Sequence, residues 1–156
     1  MKFSEINEGQ WEELRPYLDT CLLPVTGLSG AESPWKAARE LEHLRDALDL
    51  LEIPFKGRTV TYPALHFTPA GDTENIRSLL LQVCSGLRSE GFRYVVLVTA
   101  QPEEAISTEV LEAGGADRIL RVTPQQLQQA GAEAKREAAG LMTGLWNPAQ
   151  VLVKHV

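Results

Sequence analysis

Apolar positions along this chain switch repeatedly between two spacings. Trp11, Leu14 and Leu18 recur at helical intervals and predict a short helix from Glu8 to about Leu18, with Pro16 weakening its second half. Thr20-Cys21-Leu22-Leu23-Pro24-Val25 is a compact apolar run closed by Gly27 and Gly30, and predicts a first strand. Pro24 argues against that strand, because proline cannot donate to a sheet ladder. Ser33 and Pro34 supply an N-cap and a first helical residue. Ala38, Leu41, Leu44, Leu48 and Leu51 then form one apolar stripe, while Arg39, Glu40, Glu42, Arg45, Asp46 and Asp49 read as a solvated outer face.

Arg58-Thr59-Val60-Thr61-Tyr62-Pro63 is β-rich and predicts a second strand, followed by a loop from Ala64 to Gly71. Asp72 or Thr73 caps a helix through Glu90 that buries Ile76, Leu79, Leu80, Val83, Cys84 and Leu87, and Gly91 stops it. Tyr94-Val95-Val96-Leu97-Val98-Thr99 is apolar without alternation, which suits a strand buried on both faces of a parallel sheet. A helix is expected from Pro102 to Ala113, stopped by Gly114-Gly115, then a fourth strand over Arg118–Val122. Thr123-Pro124-Gln125-Gln126 is a capping box that opens a last helix to about Leu145, weakened by Gly131 and Gly140. Val151-Leu152-Val153 offers a late edge strand. Strand and helix therefore alternate, and parallel strands require such crossovers. The fold class is α/β: a three-layer, doubly wound, mainly parallel sheet of four to five strands, flavodoxin-like or Rossmann-like, in a single domain over residues 1–156.

Composition narrows the partners. The chain has 156 residues, 44% apolar and 23% charged, enough to bury a core without a disulfide or metal. Its 15 basic and 21 acidic side chains sum to −6. The whole excess lies in residues 1–52; the rest is neutral. This argues against nucleic acid and against an anionic membrane surface. No stretch approaches the roughly 20 apolar residues of a membrane span. The opening MKFSEINEGQW lacks the apolar core of a signal peptide, so a cytoplasmic location is expected. Cys21 and Cys84 sit in apolar runs without CxxC spacing and read as buried, inert thiols.

In a doubly wound sheet, ligands bind beyond the carboxyl ends of the strands. The loops there are Thr26–Ser33, Ala64–Asp72, Thr99–Glu104 and Thr123–Gln125. They offer Gly27, Ser29, Glu32, His66, Asp72, Thr99 and Gln101 as candidate ligand-binding residues. Gly27 and Gly30 precede a helix, as in a phosphate site, but GxGxxG and GxxxxGK[ST] are both absent and Glu32 would repel an anion. Glu103 and Glu104 suit the first turn of a helix, where they complement its dipole. No HExxH, GxSxG or activated Ser or Cys stands out, so no catalytic residue, metal ligand or cofactor is assigned. Trp35 and Trp146 are candidate partner-binding residues; for Trp35, packing in the core is the favoured alternative.

Three resemblances bear on function. Val95 to Leu127 resembles the second half of a receiver domain through Thr99-Ala100, Gly115-Ala116-Asp117 and Pro124. Where that family has an acidic pair, a phosphoacceptor Asp and a Lys, this chain has Val25-Thr26, Pro63 and Thr123. The segments DTCLLPVTGLSG and EGFRYVVLVTAQ resemble the creatininase family, yet Ser29, Ala31 and Gln101 stand where it has metal ligands. Finally, Tyr17-Leu18-Asp19-Thr20-Cys21-Leu22-Leu23-Pro24, Phe55-Lys56-Gly57-Arg58 and Tyr62-Pro63 resemble the YpiF-like family of Bacillus-type bacteria. That resemblance implies a small cytosolic protein with no established activity, in a respiratory-assembly context.

These readings converge on a non-catalytic domain that binds a protein partner, a second copy of itself or a small ligand at the strand ends. The alternatives are a degenerate amidohydrolase-like hydrolase using His66, Asp72, Glu32 and Gln101, and a phosphate or nucleotide binder at Gly27–Ser33.

Overall fold

The computed structural model of the chain describes residues 1–69 and 71–148. Val151–Val153, the proposed late strand, lies outside them. After a 3-10 turn at Phe3–Glu5, the elements are α1 (Glu8–Leu14), β1 (Thr20–Leu28), α2 (Pro34–Glu52), β2 (Thr59–Thr61) and β3 (Leu65–Phe67). They continue with α3 (Thr73–Glu90), β4 (Tyr94–Thr99), α4 (Thr108–Glu112), β5 (Arg118–Arg121) and α5 (Pro124–Trp146). All strand pairs are parallel, in the order β2-β1-β4-β5, with β3 also pairing to β1. The result is the three-layer α/β fold expected from the sequence.

The two faces of the sheet carry separate cores. Leu22 of β1 and Val96 and Val98 of β4 face α2 and α5, packing with Leu44, Leu51, Ala138 and Met142. Their neighbours Cys21, Leu23, Val25, Val95 and Leu97 face α3 and α4, packing with Leu80, Cys84 and Leu111. Adjacent residues of a strand point to opposite faces, so a strand covered on both sides must be apolar throughout.

Pro24 lies buried inside β1, aligned with Val98 of β4. Thr20, Leu22 and Leu28 direct their backbone bonds toward the β2–β3 side, through Arg58 O, Tyr62 N and Thr68 N. By the same two-residue alternation, the Pro24 nitrogen faces that side. The partner strand is broken there, between Thr61 and Leu65. The missing donor thus coincides with the gap between β2 and β3, while β1 itself runs on to Leu28. The second strand is correspondingly split. The expected Ala64–Gly71 loop contains β3, which resumes the pairing beside β1 after a register shift between Val25 and Leu28.

Several boundaries move for local reasons. α1 stops at Leu14, just before Pro16. The expected Pro102–Ala113 helix is only α4, because Ser107 caps a new helix by accepting from Val110 N. Glu103 is therefore no first-turn residue of a helix; its carboxylate accepts from the Thr108 amide and hydroxyl. The glycine after that helix serves packing as well: a Cβ at Gly114 would lie 2.6 Å from Leu80 Cβ. α5 bends at Ala130, beside Gly131. In α2 the inward face begins with Ala37 and Glu40 and continues through Leu44, Ala47, Leu48 and Leu51, whereas Ala38 and Leu41 of the expected stripe are exposed. Leu79 of α3 is likewise exposed.

Candidate functional site

The chain returns from β1 to β2 on one side and reaches β4 on the other, so the strand order reverses between β1 and β4. The carboxyl ends of these two strands flank the crevice where doubly wound folds bind ligands. Here the crevice contains Thr26 and Gly27 from β1 and Thr99 and Gln101 from the end of β4. Gln101 Nε2 donates to the Thr26 carbonyl at 2.9 Å and to Glu40 Oε2 at 2.8 Å. Both partners are acceptors, which sets the orientation of the amide and uses both of its N–H groups. The Gln101 backbone N–H donates to Thr99 Oγ1 at 3.2 Å.

The network extends on both sides. Thr26, itself buried, holds its hydroxyl 2.8 Å from His66 Nδ1 on β3. Glu40 Oε1 lies 3.9 Å from His43 Nδ1 one turn along α2. Arg121, at the end of β5, donates to the Gln101 carbonyl at 2.7 Å and to the Ile106 carbonyl at 2.8 Å, and pairs with Glu103 at 3.3 Å. Thr108 and Arg121 hold the Glu103 carboxyl below its ordinary range.

Gly27 lets this network close. Its φ is +79°, and a Cβ there would lie 2.6 Å from Gln101 Cγ. The glutamine stem therefore packs directly on bare backbone and fills the space between the strand ends.

The remaining candidates are placed as follows. Glu32 turns back onto its own loop: its carboxylate accepts from Ser29 N at 2.8 Å, Ser29 Oγ at 2.9 Å and Gly30 N at 2.9 Å. These bonds, led by that from the Ser29 amide, lower its pKa to about 2. The backbone donors that an anion would need are thus taken by an internal carboxylate. Asp72 accepts locally from Asn75 Nδ2 at 2.8 Å and bonds to none of the other candidates. His66, Thr26, Gln101 and Thr99 are brought together; Asp72 and Glu32 are not part of that chain of bonds.

Trp35 does not pack in the core. It is 63% exposed in the first turn of α2, with the Arg39 guanidinium 5.0 Å from its ring centre. Trp146 stands at the amino end of the sheet, where its indole N–H donates to Thr20 Oγ1 at 2.9 Å and its ring meets Phe55 edge-on. Both cysteine thiols are free and buried; desolvation raises their pKa values, as expected of unreactive core thiols.

Sequence reasoning missed Glu40, His43 and Arg121 as members of the network. For Glu40 a signal existed: it continues the 44-47-48-51 helical face toward the amino end, so a polar group there points inward. Arg121 is the last residue of its strand, the position that feeds side chains to the rim. Among the described residues, no three His, Cys, Asp or Glu side chains converge as metal ligands would. None of the described helices is long and apolar enough to cross a membrane.

The class defined by these features is a doubly wound α/β domain whose switch-point crevice is filled by its own glutamine. The chain belongs to a family of proteins of unknown function, DUF2487, which it matches over residues 9–139. No curated protein and no solved structure matches it.

Proposed function

We propose that this chain is a non-catalytic cytoplasmic domain that docks a protein partner on the carboxyl-terminal rim of its sheet. The observation that carries this reading is the Gln101 plug. A small ligand or substrate at the switch point would have to expel a side chain that makes two hydrogen bonds and packs on Gly27. The rim around the plug is better suited to a flat contact. It presents Trp35, 63% exposed, and Phe67 of β3, 61% exposed. Large aromatics at the centre of an interface are the side chains whose burial most often dominates its affinity. The free buried thiols suit a reducing compartment, and the YpiF-like resemblance carries the same implication of a small cytosolic bacterial protein.

The test is affinity capture from a lysate with the parent chain and with a Trp35→Ala/Phe67→Ser variant, read by mass spectrometry and by light scattering for self-association. A protein, or a second copy of the chain, retained by the parent and lost by the folded variant is the expected result. Identical capture by both, or a small ligand bound in place of Gln101, overturns the reading.

A second reading rests on one contact. Thr26 Oγ1 and His66 Nδ1 are within hydrogen-bond reach, the arrangement that activates a hydroxyl nucleophile. It supports a hydrolase in which His66 serves as base to Thr26. Ester hydrolysis abolished by both Thr26→Val and His66→Gln would favour it over the docking domain.

A further inference from the structure

A second concave region lies on the α1–α3 face of the sheet, beside β2 and away from the Gln101 plug. It is a cavity of about 230 Å³ whose walls include Phe3, Trp11, Tyr62 and Phe92, with Glu8 and Glu90 among its polar lining. The rings form a continuous series. Phe3 and Tyr62 have centroids 6.3 Å apart, Tyr62 and Phe92 meet edge-on at 5.3 Å, and Trp11 lies 5.5 Å from Phe92. Such a wall is apolar and also carries negative potential over its ring faces. Ligand pockets for drug-sized molecules run to about 300–1,000 Å³, so this volume suits a small head group.

The charged groups decide which head group fits. Glu90 is partly committed: it accepts from the Trp11 indole N–H at 2.9 Å and from Arg15 at 3.2 Å. Arg15 in turn stands 5.7 Å from the centre of the Trp11 ring, so this wall already holds one internal cation. Glu8 makes no ion pair among the described residues. Among the described residues the lining itself is thus aromatic and acidic, and the one cation beside it, Arg15, is already paired with Glu90 and Glu12. An anion would be repelled, and a neutral apolar group would leave the carboxylate unused. A cation with an apolar periphery satisfies both parts of the wall and sheds its water more readily than a compact ammonium.

We propose that this cavity binds a small organic ammonium head group of the trimethylammonium type, held against the rings of Trp11 and Tyr62 and by the field of Glu8. The site is separate from the docking rim and does not depend on it.

The test is an NMR titration of the full chain with choline at constant ionic strength, beside 3,3-dimethylbutan-1-ol, which has the same shape without the charge. The expected result is saturable movement of the Trp11 indole N–H and the Val60 and Phe92 amides with choline, and weaker binding of the alcohol. Tyr62→Leu should weaken choline binding by roughly two- to thirtyfold, the range of cation–π contacts. Glu8→Gln, a surface change that leaves the core intact, should weaken choline and leave the alcohol unaffected. The proposal is overturned if choline moves none of these signals, if the alcohol binds as well as choline, or if Glu8→Gln changes neither ligand.

Discussion

Gln101 packs its side-chain stem onto the bare backbone of Gly27, which has a φ of +79° and no room for a Cβ. Two constraints meet at this glycine, one conformational and one steric. Gly27→Ala should cost about 1–3 kcal/mol from the strained backbone, and should also drive Gln101 from the crevice. Urea unfolding measures the first effect. Faster exchange of the Gln101 side-chain amide protons than in the parent measures the second.

Removing the plug itself gives a complementary result. Gln101→Ala leaves the Thr26 carbonyl and the Glu40 carboxylate without their shared donor. A buried acceptor stripped of its partner costs about 1–3 kcal/mol. Glu40→Gln should cost less, since it keeps a neutral acceptor. An unchanged urea midpoint for Gln101→Ala would show that the plug contributes no cohesion.

A different cluster ties the end of α5 to the amino end of the sheet. Arg58 donates to both carboxylate oxygens of Asp19, at 3.0 and 3.1 Å, and lies over the Trp146 ring at 4.2 Å. Lysine can reproduce neither the two-pronged bond nor the planar stack. Arg58→Lys should lower stability by about 1 kcal/mol, a modest figure because the pair is only half-buried. A double-mutant cycle with Trp146→Leu, which also removes the bond to Thr20, separates the ring contact from the ion pair.

The Glu32 clasp should respond to acid in a defined direction. Its hydrogen bonds favour the charged carboxylate and lower its pKa to about 2. A lowered pKa means that the contribution is complete above the ordinary carboxylate range and is lost progressively as pH falls from that range through about 2. In a carboxyl NMR titration Glu32 should therefore titrate well below the ordinary carboxylate range. Ser29→Ala, which deletes the hydroxyl donor, should raise its midpoint toward the ordinary value.

Legibility followed the kind of information each feature requires. The β4 segment was readable because six consecutive β-rich residues leave no exposed face. The capping box at Thr123 was readable because both of its bonds are local: Thr123 accepts from Gln126 N, and the Gln126 side chain accepts from Thr123 N. Pro24 pointed the wrong way, because its acceptability depends on a break in a neighbouring strand far along the chain. Trp35 also read differently from its position, since an indole in the first turn of a helix is exposed or buried according to what lies opposite. Of the candidate site, Gly27, His66, Thr99 and Gln101 were found from their place after strands, while Glu40 was hidden within a helix that looked solvated.

Sequence alone determined the alternation of strands and helices, the two-sided burial of the central strands and hence the three-layer class. Those properties follow from apolar periodicity and local caps, which act over a few residues. The tertiary structure decided which polar residues meet. It joined Gln101 to Glu40 across 61 positions and Thr26 to His66 across 40. It also folded Glu32 back onto the donors that a bound anion would have used. Such pairings depend on strand order and on the direction of side chains at close range, and no periodicity encodes either.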